Sequence, residues 1–487
     1  MPVQAFIFTD VRVYFYNLNP MHELPVEILV MIFKEVVRQA TRSVDRYTSL
    51  FRLMLVCRRC RNIILRNVAF WSHITASDEE SIPLALKSID RSGDSKLSVC
   101  LTWHSLVTAE QMVVPLLKLA DQSHRLIKFS IISPSIPTVP RWVSPATNLR
   151  TLVIRNKGVQ QPLVDFFGGP LPQLRYLALE GFCSWPAGLF RDLYYITLQL
   201  PSASGTASFT GLLDLLASSP GLRSLNIGGW VSTPRPHHSS RVITLPHLTS
   251  LTIFKSSSRG ILSHMSLPNG VEVRLVECMN IVGGFGSGLF PGPRDSALSC
   301  LAGLFTLRVT SDARHSTLSI MAFKQKKSIP TLVIKNKITP QFNHTVVQSL
   351  EDYATNPAFA SVEVLSVVAD TSLQMPWYQW LSSFRSLRQL MIRTRNTAAL
   401  CTMLHKEFGC DPVLYPTPKQ TLTQDSRGMG SLHIDWRATL RRMHYHCAFG
   451  GVLHVEPRKK AGLVPYMKPR GAAVLGGGVG TSGLYNR

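Results

Sequence analysis

Acidic residues are scarce: 29 Asp and Glu stand against 52 Lys and Arg, a net charge of +23 over 487 residues. This surplus favours nucleic acid, anionic membrane, acidic proteins or phosphorylated peptides as partners, and it also serves simply to keep a large chain soluble. Cysteines are few for the length: nine, an odd number, scattered from Cys57 to Cys447. A disulfide scaffold needs dense, paired cysteines, so the expected setting is reducing and intracellular, cytoplasmic or nuclear. No apolar run is long enough to span a bilayer, and membrane is not an expected partner. The opening "MPVQAFIFTDVRVYFYN" lacks an early basic region and is broken by Asp10 and Arg12, a poor fit to a secretory signal.

Catalytic signatures are missing as well. There is no HExxH, no nucleophile elbow and no kinase signature set. "IVGGFGSGLFPGP" is glycine-rich, but Pro291 and Pro293 follow where a phosphate cradle needs a helix start, and the spacing is not GxGxxG. The chain is therefore expected to be no enzyme, with no catalytic residue, no cofactor and no metal site. Hydrophobic residues make up 45%, enough to bury a large core.

Against these absences stands "LVCRRCRNIILRNVAFWSHI", where Cys57 and Cys60 form a CxxC pair among Arg58, Arg59 and Arg61. A closed zinc site takes four ligands, and no second CxxC accompanies this one. A thioredoxin-like redox pair needs a strand leading into its helix, whereas both flanks here read as helical. Both cysteines are accordingly read as core residues of an amphipathic helix. Upstream, "LPVEILVMIFKEVV" places Pro25 in a first helical turn. Ile28, Leu29, Ile32, Phe33, Val36 and Val37 then recur at helical spacing. A second apolar face builds from Leu50, Leu53, Met54, Val56 and Cys57 through Ile63, Ile64 and Val68 to Phe70–Trp71.

These residues carry a resemblance. The segment is similar to the F-box motif, in the form common in the large fungal (basidiomycete-type) F-box family, and Leu24, Pro25, Glu27, Ile28, Leu29, Ile32, Phe33, Val56, Cys57, Arg58 and Trp71 match it. Cys60 departs, standing where the family usually has Trp. The resemblance implies a small three-helix unit that docks on the Skp-type linker of a cullin–RING ubiquitin ligase. Helix-in-groove recognition would use apolar anchors at helical spacing. The matching contact candidates are Leu24, Pro25, Ile28, Ile32, Phe33, Leu53, Val56, Cys57 and Trp71. The same side chains also suit a three-helix core, and the sequence does not sort the two sets.

Downstream, an apolar-x-x-apolar-x-apolar pattern returns in "NLRTLVI", "QLRYLAL", "LYYITL", "GLRSLNI" and "HLTSLTI". It recurs in "GLFTLRV", "IPTLVI", "SVEVLSVV" and "SLRQLMI". Steps between the first apolar positions Leu149, Leu174, Leu193, Leu222 and Leu248 are 25, 19, 29 and 26 residues. They lie in or near the ~20–29-residue period of leucine-rich repeats. "GVEVRLVE" fits a further, weaker unit, and "FTGLLDLLASSP" reads as a return helix. The fold class expected is α+β: a three-helix F-box followed by an irregular leucine-rich-repeat solenoid of strand plus helix or turn units.

The organisation expected is an N-terminal extension over 1–19, the F-box over 20–75, a bridging helix and turn over 76–94, the repeats over 95–410, and a partly disordered Pro/Gly/Lys-rich region over 411–487. On the resemblance, the chain is a non-catalytic client-recognition subunit of an SCF-type ligase. The alternatives are a repeat scaffold outside any ligase and, further off, a basic nucleic-acid binder. The cluster Lys324, Lys326, Lys327, Lys335 and Lys337 is a candidate patch for an acidic or phosphorylated client. Nucleic acid is not the favoured partner, because no stacking platform or recognition helix accompanies the charge.

Overall fold

The computed structural model describes residues 23–39, 43–103, 109–134, 142, 144–158, 161–163, 167–200, 209–229, 241–256, 258–278, 301, 303–312, 317–324, 330–337, 359–369, 384, 386–394 and 430–435. Three helices open it: α1 (Val26–Arg38), α2 (Ser43–Val56) and α3 (Arg58–Arg66). Their shared core holds Leu29, Phe33, Val37, Tyr47, Leu50, Cys60, Ile63, Ile64, Phe70 and Trp71. A 3-10 turn over Val68–Phe70 ends the bundle, and the chain passes straight into strand β1 (His73–Ala76).

Next come helix α4 (Ser81–Arg91) and strand β2 (Leu97–Thr102). Then come α5 (Ala109–Asp121), β3 (Leu126–Ser133), β4 (Thr151–Asn156), the short β5 (Gln161–Pro162), β6 (Tyr176–Glu180), β7 (Phe182–Ser184) and β8 (Tyr195–Gln199). "FTGLLDLLASSP" forms α6 (Phe209–Ala217), followed by β9 (Ser224–Gly228), β10 (Ile243–Thr244), β11 (Ser250–Phe254), α7 (Ser258–Leu262), β12 (Met265–Ser266) and β13 (Glu272–Val276). The remaining described elements are strands: β14 (Thr306–Asp312), β15 (Thr317–Phe323), β16 (Leu332–Lys337), β17 (Val364–Ala369), β18 (Gln389–Thr394) and β19 (Gly430–Asp435). The molecule is thus a helical N-terminal unit followed by a strand-rich sheet.

Among the described residues fifteen strands form one sheet, in the order β1-β2-β3-β4-β6-β8-β9-β11-β13-β16-β15-β14-β17-β18-β19. From β1 to β13 every neighbour is parallel. The repeated apolar pattern explains the register. Its second and third positions occupy alternate residues of a strand and so share one face. Leu152 and Ile154, Leu177 and Leu179, Leu225 and Ile227, and Leu251 and Ile253 are all buried there. The first position sits in a tight turn just before the strand. The amide of Leu149 donates to the Ala146 carbonyl at 3.1 Å, and Leu174, Leu222 and Leu248 repeat the bond to the residue three earlier. Each strand end also needs a chain reversal. Gly229 takes φ +74° there, and a side chain at this position would run into the Leu200 carbonyl oxygen.

The expected succession of units breaks after β13. "GLFTLRV" supplies β14, but the neighbour of β13 is β16, from "IPTLVI". Between them lies β15, antiparallel to both β14 and β16. An antiparallel neighbour needs only a short turn, whereas a parallel one needs a crossover, and this permits three consecutive strands to fold back as a meander. The glycine-rich 281–293 stretch and nearly all of 411–487 lie outside the described residues.

Tyr47 and Trp71 tie the helical unit to the sheet. The Thr75 amide on edge strand β1 donates to the Tyr47 hydroxyl at 3.3 Å, and the Ser88 hydroxyl of α4 lies 3.5 Å from the same oxygen. The Trp71 indole N–H donates to the Ile64 carbonyl at 2.9 Å, while Arg91 of α4 stacks over its ring at 4.7 Å.

His73 sits in this junction. Burial, reinforced by the cations Arg46 and Lys128, pushes its pKa down from 6.5 to about 4. As pH falls below 6.5 the unfolded chain takes up a proton that the folded chain refuses until about 4, so stability is lost across that window. His73→Gln should remove this loss, about 2 kcal/mol after allowance for partial solvation. Urea unfolding at pH 7 and pH 4.5 measures it; an unchanged pH dependence in the variant contradicts the assignment.

Candidate functional site

Helix α1 starts cleanly because Pro25 fixes the first turn, with the Leu29 amide donating to the Pro25 carbonyl at 3.2 Å. Arg38 closes the far end by pairing with Glu35 at 2.8 Å, which holds that exposed carboxyl down near 2. Between the ends, the apolar stripe divides. Leu29, Phe33 and Val37 are buried, while Ile28, Ile32 and Val36 remain 41% exposed. At 100° per residue these are two neighbouring i, i+4 strips, and only the first faces the core. Met31, 66% exposed, lies further round. Helix α2 adds Phe51, Leu55 and Val56, the last two 83% and 62% exposed.

The nine predicted linker contacts therefore separate. Pro25, Ile28, Ile32 and Val56 are at the surface; Leu24, Leu53 and Cys57 are half-buried against the helical core; Phe33 and Trp71 are within it, 1% and 3% exposed. Val26, Met31, Phe51, Leu55 and Val68 are exposed apolar side chains that the motif match did not select. Of fourteen large apolar side chains exposed among the described residues, nine lie between Val26 and Val68. An open groove runs between α1 and α3, lined by Val26, Val30, Arg59, Asn62, Arg66 and Val68 among others. Arg59 also ties α3 to the start of α1 by donating to the Leu24 carbonyl at 2.6 Å.

The cysteine pair differs from its expected form. Cys60 is buried, 2% exposed, as a core residue. Cys57 is not within a helix. It is the extended residue (φ −160°, ψ 166°) that separates α2 from α3, and its sulfur caps α3 by accepting the Cys60 amide at 3.4 Å. That amide bond, helped by the Cys60 thiol and Arg59, lowers the Cys57 pKa, while burial pushes Cys60 up to about 11. Among the described residues no group of three or more His, Cys, Asp or Glu is placed to hold a metal.

The basic patch is only partly within the described residues. Lys324 is half-buried and Lys335 is exposed on β16; Lys326, Lys327 and the Lys337 side chain lie outside them. Another basic row was missed by sequence reading, at the end of the sheet where the strands begin. Arg150, Arg175, Tyr194 and Arg223 are stacked by successive backbone bonds of 2.9 Å, each amide donating to the preceding carbonyl of the row. The Arg175 and Arg223 guanidiniums lie 5.4 and 5.3 Å from the Tyr194 ring centre. Elsewhere on the sheet Arg155, Lys255 and Arg274 are paired with Glu180, Glu277 and Glu272. The recurring Leu-Arg of "NLRTLVI", "QLRYLAL" and "GLRSLNI" was the available signal.

Residues 21–77 match the F-box-like family. The three helices, their exposed apolar strips and the following 3-10 turn are thus an F-box-like domain, a module that generally binds Skp-type linkers. No curated protein matches the chain. No helix among the described residues is long and apolar enough to cross a membrane.

The divided stripe separates stability from surface function. Phe33→Ala should cost about 3–5 kcal/mol, whereas Ile32→Asp should change stability by less than about 1 kcal/mol. Chemical denaturation of the two variants checks this; equal losses contradict the division.

Proposed function

We propose that this protein is a non-catalytic substrate-recognition subunit of an SCF-type cullin–RING ubiquitin ligase. The F-box-like domain docks on a Skp-type linker, and the sheet-bearing region holds the client. The observation that carries the reading is the concentration of exposed apolar side chains on the F-box-like helices. Folded surfaces that keep large apolar side chains together in water are commonly partner sites, because covering them recovers about 25 cal/mol per Å². Cys60 does not count against docking, since its side chain is inside the bundle.

The client region is read as a degenerate leucine-rich-repeat solenoid, of the kind found in the fungal F-box family that the sequence resembles. Support comes from the parallel neighbours of β1 to β13, the turn repeated before β4, β6, β9 and β11, and the buried triplet of apolar positions. The reversed β14–β16 meander is its main irregularity. Arg150, Arg223 and Lys335 are exposed cations, and they suit an acidic or phosphorylated client segment. Ubiquitin transfer itself falls to other subunits, this chain supplying proximity and orientation.

Linker docking is tested with the full chain co-expressed with a Skp-type linker and analysed by size-exclusion chromatography. Ile28→Asp/Ile32→Asp and Leu55→Asp/Val56→Asp target exposed positions, so the variants should stay folded by circular dichroism. Co-elution of the wild type and at least ~10-fold weaker association of either variant is the expected result. A folded wild type that elutes apart from the linker overturns the ligase reading and favours a repeat scaffold acting alone.

A further inference from the structure

The CxxC segment has a geometry that neither the F-box-like match nor a core role for its cysteines requires. Cys57 and Cys60 are three residues apart, their sulfurs separated by 3.3 Å. A disulfide needs those sulfurs at about 2.05 Å, a closure of little more than an ångström for two side chains already facing one another. The two thiols occupy opposite environments. Cys57 is half-buried at the break between α2 and α3, with the N-terminus of a nine-residue helix directed at its sulfur. Cys60 lies one turn in and is closed off from solvent. Arg59 acts on both sulfurs and favours an anionic one, with Arg58 and Arg61 its neighbours in sequence.

We propose that Cys57 and Cys60 form a reversible dithiol–disulfide modification site, with Cys57 the attacking thiol, Cys60 the resolving thiol and a low-molecular-weight disulfide the oxidant. The Cys57 thiolate attacks one sulfur of that disulfide. The small S–S bond breaks, and one half departs as a thiolate carrying the electron pair. Cys60 then gives up its proton, and its sulfur attacks Cys57 Sγ and expels the second half. The protein loses two electrons and two protons, the small disulfide gains both, and two small thiols leave. Once Cys57 is ionised, the Cys60 thiol and the Cys60 amide both donate to it, which stabilises the attacking form. The depressed Cys57 pKa and raised Cys60 pKa agree with this division of labour. The inference rests on the thiol geometry alone and stands whether or not a linker docks.

The test uses the full chain equilibrated with mixtures of oxidised and reduced glutathione, then acid-quenched, alkylated and mapped by mass spectrometry. The wild type should form an internal Cys57–Cys60 disulfide that retains no glutathione. Cys60→Ala should trap glutathione on Cys57, and Cys57→Ala should leave Cys60 unmodified. Retention of glutathione on wild-type Cys57 without closure, or no reaction at Cys57 while Cys100 and Cys183 react, overturns the proposal. Cys60→Ala removes a core side chain, so a second measurement stays with the wild type. At pH 7, Cys57 should alkylate with iodoacetamide at least about tenfold faster than Cys60. Equal rates, or a Cys57 midpoint at or above the ordinary thiol value of about 8.5, also overturn it.

Discussion

The edge of a parallel sheet is the constraint that organises this molecule. Among the described residues strand β1 has one neighbour, β2, and its outer side presents backbone groups that would otherwise pair with another chain. The helical unit covers that side. Tyr47 reaches from α2 to take the Thr75 amide, Leu84 of α4 packs against the helical core, and Trp71 is clamped between the Ile64 carbonyl and Arg91. Only Ser72 separates Trp71 from β1, and its carbonyl accepts the Ser98 amide of β2 at 2.9 Å. The F-box-like domain is therefore an end-cap of the sheet, and its orientation relative to the strands is built in.

That arrangement separates two jobs within single helices. One strip of α1, Leu29-Phe33-Val37, holds the bundle together, and the next strip, Ile28-Ile32-Val36, is left in water. An adaptor needs both, because a docking face is useful only when the core behind it is independently stable. The buried Cys60 belongs to the first job. Cys57, as the cap that starts α3, lies at the boundary between them.

Much of this was legible in the residues, for a physical reason. Period-3.6 and period-2 patterns reflect which side chains meet water, so "LPVEILVMIF", "FTGLLDLLASSP" and the recurring strands declared themselves. Other features were hidden. A six-residue apolar strip looks the same whether three or six of its members face the core, so Phe33 and Ile32 entered the candidate site as equals. Met31, apolar on the polar side of α1, was the overlooked sign of an exposed face. The break at Cys57 left no mark, because apolar spacing continues across it and no Gly or Pro announces it. The reversed order of β14 to β16 was equally hidden: strand pattern records burial and not which strand is the neighbour. The Arg175–Tyr194–Arg223 stack depends on register between strands, which appears only once they are paired.

On the proposed function, the F-box-like end-cap presents its exposed apolar strips to a linker while the sheet remains free. Hydroxyl-radical footprinting of the full chain, alone and with a Skp-type linker, tests this side chain by side chain. Met31, Phe51 and Leu55 are reactive and exposed on the helices, and Tyr194 and Tyr195 are reactive and exposed on the sheet. The linker should protect residues of the first group and leave both tyrosines unchanged. Protection of the tyrosines with the helical residues unaffected would contradict it.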